Sequence, residues 1–180
     1  MRWQIGPVAV VAVLTIANTA GCAEVVDGSP HRAHPAADPD RSYGYVDNRC
    51  GLLRDETIQE MLDADHLVRP YSGAVCQYVL ARGGSADPQW VDVTFSWFET
   101  GDLDRERRLA EDRGATVTDT DIERHKAFLA RRDTTGVACS ATAAAGSGVV
   151  SWWVQLRGES TGDPCADAEE LLSATLNSDL

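Results

Sequence analysis

Trp90-Val-Asp-Val-Thr-Phe-Ser-Trp-Phe98 reads as a β-strand, because its apolar residues recur at every second position. Val91, Val93, Phe95 and Trp97 share one face, and Asp92, Thr94 and Ser96 share the other. Such a strand fits a largely antiparallel sheet. Gly101 ends this run, and Asp102 opens a charged helix over Leu103 to Arg113, closed by Gly114. Only Leu103, Leu109 and Ala110 give that helix an apolar side, so it is expected on the surface.

Upstream, Asp55 is expected to cap a helix whose apolar face is Ile58, Met61 and Leu62, ending near Asp65 to Leu67 ahead of Pro70. Ala74 to Leu80 then alternates as a strand. Downstream, four shorter strands are expected near Thr116–Thr120, Lys126–Arg132, Val137–Ala143 and Val149–Leu156, with Gly146-Ser147-Gly148 turning the last two into a hairpin. Asp163 caps a closing helix, Pro164 takes its first position, and Ala168, Leu171, Leu172 and Thr175 line it. Helix, two strands, helix, four strands and helix make an α+β domain with a mainly antiparallel sheet of about six strands.

The chain has 180 residues and a formal net charge of -12. An acidic surface repels phosphate backbones and anionic headgroups, which argues against nucleic acid as a partner. At the N-terminus an apolar run from Ile5 to Ala17 precedes Thr19-Ala20-Gly21-Cys22. The run is too short to span a bilayer, and small residues before a cysteine are the pattern of a lipoprotein signal. Residues 1–21 are therefore expected to be a signal peptide, and Cys22 the acylated mature N-terminus. Two acyl chains suffice for stable anchoring. Residues 22–46, punctuated by Gly28, Pro30, Pro35, Pro39 and Gly44, read as a flexible tether holding the domain roughly 25–30 Å from the anchor. Residues 47–180 are then the folded domain, held at the extracytoplasmic face of the membrane.

Five cysteines fit that compartment. Cys22 goes to the lipid, and Cys50, Cys76, Cys139 and Cys165 allow three pairings. Cys50–Cys76 with Cys139–Cys165 is the pairing favoured, since it joins neighbouring elements and closes two loops of equal length. Metal binding is the rival use, but no C-x-x-C or paired-histidine spacing occurs. His31 and His34, in the tether, read as solvated filler, and no cofactor or metal is expected.

Cys50-x-Leu-Leu, Cys76-Gln-Tyr, Phe95-Ser-Trp-Phe-Glu-Thr-Gly-Asp-Leu, Gly136-Val-Ala-Cys139, Val149-Val-Ser-Trp-Trp-Val and Asp163-Pro-Cys165 together resemble the DUF3558 family of actinobacterial lipoproteins. The resemblance runs from Cys50 to the C-terminus and implies a lipid-anchored envelope protein with two disulfides. It supplies no reaction.

The residues do not select one either. Ser147 lies in a Gly-Ser-Gly hairpin turn, unlike the strand-to-helix elbow of a hydrolase nucleophile. His66 and His125 sit in no catalytic phrase, and Asp119-Thr120-Asp121 reads as a solvated strand end rather than a metal loop. A non-catalytic binding or accessory module is expected, with an enzyme whose site is assembled from scattered residues as the alternative. Trp152 and Trp153, being consecutive in a strand, must face opposite sides of the sheet. With three helices to distribute, both faces are expected to be covered; if one is open, Trp97, Trp152 and Trp153 are the candidate contacts for a lipid or an envelope protein.

Overall fold

The computed structural model describes residues 37–84, 86–133, 137–158 and 162–178. The elements, in chain order, are β1 (Tyr45–Val46), β2 (Arg49–Cys50), α1 (Asp55–Met61), β3 (His66–Tyr71), β4 (Val75–Arg82), β5 (Gln89–Phe98), α2 (Leu103–Asp112), β6 (Thr116–Ile122), β7 (His125–Arg132), β8 (Val137–Ala145), β9 (Gly148–Leu156) and α3 (Pro164–Asn177). The α+β class holds. β3 to β9 form one antiparallel sheet in the order β3-β4-β5-β9-β8-β7-β6, and β1 pairs with β2 in a separate two-stranded ribbon.

The quoted strand lies near the centre of this sheet, between β4 and β9. Its pairing with β9 sets Val93 opposite Val154, Phe95 opposite Trp152 and Trp97 opposite Val150. One face is thus continuously apolar, and α1 and α3 seal it with Ile58, Leu62, Ala168, Leu171, Leu172 and Leu176. Trp152 is fully buried there, 5.0 Å from the Phe95 ring and 6.2 Å from that of Tyr78. Its indole N–H donates to Thr175 Oγ1 on α3 at 2.8 Å, which satisfies the one polar atom the ring carries inward.

Cross-links fasten the same face. Cys139–Cys165 ties the first turn of α3 to β8, and Cys50–Cys76 ties β2 to β4. Arg82 and Asp167 add an ion pair of 2.8 Å between β4 and α3. At the β8–β9 turn, Gly148 lies so close to the Phe98 carbonyl that no side chain fits, and Gly146 has φ +52 against the Arg41 backbone.

Three expectations need correction. β3 was not anticipated, because Pro70 reads as a helix stop; it is tolerated here since β3 is an edge strand with an unpaired side. Asp55 is not a cap but the first helical residue of α1, which follows Arg54 at the N-cap without a side-chain cap bond. The tether does not reach residue 46. Tyr43 is fully buried against Trp97, with ring centroids 5.7 Å apart. The remainder of residues 1–46, up to position 36, lies outside the described residues, as do Cys22, His31 and His34.

The expectation that helices cover both faces is met only in part. On the second face α2 packs against β6, β7 and β8. Phe128, Ala130, Ala138 and Thr142 are buried on this face. Among the described residues no helix lies over the β4–β5–β9 part of this face.

Candidate functional site

The uncovered face is built by strand alternation. Residues with their backs to the core stand in cross-strand rows: Val75, Ser96 and Ser151; then Gln77, Thr94 and Trp153; then Val79, Asp92 and Gln155. Trp90 and Phe98 have the same parity in β5 as Thr94, so they stand on this face at its two ends. They are 41% and 46% exposed. Trp153 is half-buried midway between them. At about 3.3 Å per residue, each outer ring is set about 13 Å along the strands from the central one. Asp92 is the one charge in the three rows, and Arg157 donates to its two oxygens from Nε and Nη2, one edge of the guanidinium. In a chain of charge -12, this block of hydroxyls, amides, valines and rings, continued on β3 by the exposed Val68 and Tyr71, is electrically quiet.

The tryptophans are therefore not brought together. Trp97 and Trp152 are core on the helix-covered face and are not available as contacts. Their expected role in ligand or partner contact is corrected for that reason, and Trp153 alone of the three remains on an accessible face. Trp90 and Phe98 went unselected from sequence. Their signal was their parity with Asp92, Thr94 and Ser96 at the ends of the strand.

A second polar region surrounds the head of α1. Arg69 on β3 donates to the Asn48 carbonyl at 2.8 Å and to Asn48 Oδ1 at 2.6 Å, meets Asp55 at 3.1 Å, and lies over the Tyr45 ring. An open cleft of about 410 Å³ borders it, lined by Asp47, Asn48, Arg49, Arg54, Asp55 and Glu56. Burial pushes the Asp55 carboxyl above its ordinary range, Arg69 opposes that shift, and Glu56 adds to it. Burial likewise raises the Tyr78 hydroxyl, whose oxygen is enclosed beside this cluster. Through these contacts Arg69 holds the β1–β2 ribbon and α1 to the sheet, which makes the cluster a structural joint.

The remaining candidates are scattered. His66 is exposed on the β3 edge. His125 is buried in β7, with Nδ1 2.9 Å from the Ala144 carbonyl and 3.8 Å from Asp38. Asp38 also accepts from the Gly146 amide at 3.0 Å and from the Tyr43 hydroxyl, clamping the chain entry onto the β8–β9 turn that carries Ser147. Asp119 is paired with Arg107 and Asp121 with Lys126, each at 2.8 Å, so neither carboxylate is set up as a metal ligand. No cluster of three or more metal-ligating side chains occurs among the described residues. No described helix is long and apolar enough to cross a membrane.

The family described as "Protein of unknown function (DUF3558)" matches residues 17–178 of the chain. Among curated proteins, similarity extends to mycobacterial proteins provisionally named lipoprotein LprB. The Mycobacterium bovis protein is 28% identical over 158 residues, covering 84% of this chain and 83% of its own. The Mycobacterium tuberculosis protein is 32% identical over 114 residues, covering 62% and 60%. The Mycobacterium leprae protein is 28% identical over 133 residues, covering 72% and 69%. No solved structure matches the chain.

Proposed function

We propose that this chain, which belongs to the DUF3558 family, is a non-catalytic lipoprotein of the cell envelope that binds a partner through the uncovered β4–β5–β9 face. Anchoring rests on the lipoprotein names of its relatives and on the small-residue run ending at Cys22. Acylation of Cys22 holds the domain at the extracytoplasmic face, and Cys22→Ala moves it from the membrane to the soluble fraction.

The observation that carries the binding role is the placement of the exposed Trp90 and Phe98 rings and the half-buried Trp153 ring on the part of the second sheet face that no described helix covers. Val75 and Val79 lie between these rings and the exposed Val68 and Tyr71 of β3, and an exposed apolar surface of that kind rimmed by polar groups marks an interaction surface. The non-catalytic part of the reading is supported by how the candidate groups are used. His125 is committed to the Ala144 carbonyl, Asp119 and Asp121 are neutralised, and Arg69 holds a ribbon.

A photo-crosslinking residue at position 153 or 94, in the full chain expressed in an actinobacterium, tests the surface. A discrete adduct is expected from both positions and none from position 124, at the far β6–β7 turn. Equal labelling from all three, or none from 153, refutes the assignment. The catalytic alternative predicts that His125→Gln or Ser147→Ala abolishes in-cell function, whereas the binding reading leaves both variants functional.

A further inference from the structure

Exposed apolar side chains gather at one end of the sheet. Six large ones are exposed among the described residues, and four of them, Tyr45, Val46, Tyr71 and Phe98, surround the β3–β4 and β8–β9 turns. Tyr71 closes β3 with its ring against Gly73, and Phe98 closes β5 with its carbonyl against Gly148. Tyr45 and Val46 belong to the ribbon, which comes in beside Trp97 at Gly44 and is tied to β4 by Cys50–Cys76. Val68 stands midway along β3, and Trp90 is at the opposite end.

The chain enters the fold at this same end. Asp38 is fastened to the Gly146 amide and to the Tyr43 hydroxyl, and the Tyr43 ring packs on Trp97. Cys22 precedes Asp38 by a short run of sequence, so a lipid there, on whose proposed attachment this inference rests, holds the domain by its aromatic end. The four side chains also lie to both sides of the sheet. The ribbon is on the helix-covered face with Trp97 and Cys76, whereas Tyr71 and Phe98 are on the open one. A folded partner docked on either face meets half of them, while a lipid layer moulds round the end and meets all four. Tyrosine suits that boundary, since its ring is buried as its hydroxyl stays among the headgroups. Asp40, Asp47 and Glu99 are exposed at the same end, so the attachment is apolar and favours headgroups without net charge. We infer that the Tyr45–Val46–Tyr71–Phe98 end rests in a lipid surface. The strands then stand upright on the membrane, with Trp90 about 26 Å above Phe98 and the β4–β5–β9 face turned sideways toward a partner.

The test uses the full chain, purified from an actinobacterium with a photo-crosslinking residue at position 46, 71, 90 or 153 and reconstituted into phosphatidylcholine vesicles. Flotation shows whether the chain is anchored, and mass spectrometry measures phospholipid adducts. Adducts from positions 46 and 71 are expected to exceed those from 90 and 153 at least fivefold, and to fall when half of the lipid is phosphatidylglycerol. Val46→Asp leaves the anchor in place and sits at an exposed site, so the fold survives it, as circular dichroism checks. It should cut the adduct at position 71 at least fivefold with flotation unchanged. Equal adducts from all four positions, adducts that rise with phosphatidylglycerol, or an adduct at 71 that survives Val46→Asp overturns the inference. So does a protein, in place of lipid, captured from position 46 in the living cell. Lipid adducts strongest at position 153 would lay the open face on the membrane and refute both this orientation and the partner surface. A chain that does not float refutes the acylation itself, and one that floats without adducts at 46 and 71 refutes the orientation alone.

Discussion

Trp152→Phe and Trp153→Phe make a matched pair of substitutions, one residue apart, whose costs should differ widely. Trp152 is fully buried, and its indole N–H has a single partner, Thr175 Oγ1, itself buried in α3. Phenylalanine there removes that hydrogen bond, worth about 1 kcal/mol. The ring lost from the core costs roughly 1 kcal/mol in transfer free energy, and the small cavity left between Tyr78 and Phe95 about 1 kcal/mol more. The total is about 3 kcal/mol, a large share of the stability of a domain this size. Trp153 stands half-buried on the other face among Thr94 and Ser140, where the same change should cost under about 0.5 kcal/mol. Urea unfolding followed by far-ultraviolet circular dichroism, with equal m-values required of both variants, measures the difference. Equal costs, or a greater cost at position 153, would refute the register of β9, and the binding face would fall with it.

Three further outcomes are expected. Replacing Cys139 and Cys165 together by alanine should cost about 3.5 kcal/mol, the chain-entropy value for a loop of this length, read as a lowered urea midpoint under oxidising conditions; the Cys50–Cys76 loop has the same sequence separation of 26 and should cost the same. Asp38→Ala removes the acceptor that holds the Gly146 amide and the Tyr43 hydroxyl, so trypsin cleavage after Arg41 in the native protein should rise about tenfold or more, for a loss on the order of 1.5–3 kcal/mol in charge-assisted bonding; an unchanged cleavage rate would show that Tyr43 packing alone holds this segment. Asp55 binds its proton more readily folded than unfolded, so its contribution to stability is fully present below the ordinary carboxyl value and is lost as pH rises through the raised folded value. Asp55→Asn should therefore flatten that part of the stability–pH curve, and an identical slope in both proteins counts against the burial of this carboxyl.

The alternation of Trp90–Phe98, the Gly-Ser-Gly turn and the Asp163-Pro164 cap are local signals, and each specifies its element without help from the rest of the chain. Local pattern also dictated that Trp152 and Trp153 part company across the sheet, since a pleated strand permits nothing else. It did not say which ring goes to the core. That was decided by where α3 packs, because Thr175 accepts the Trp152 N–H only when the helix lies on that face. β3 escaped notice because an edge strand needs pairing on one side only, and Pro70 is penalised only where its missing N–H would have had a partner. The burial of Tyr43 likewise depends on contacts with Trp97 and Asp38, one of them far along the chain, within a stretch that composition alone marks as linker. The sequence by itself determined the class of fold and the parity of the residues in the strands it marked. Tertiary structure decided which face stays open, since coverage is a matter of three helices shared between two faces, and no local period records how they are shared.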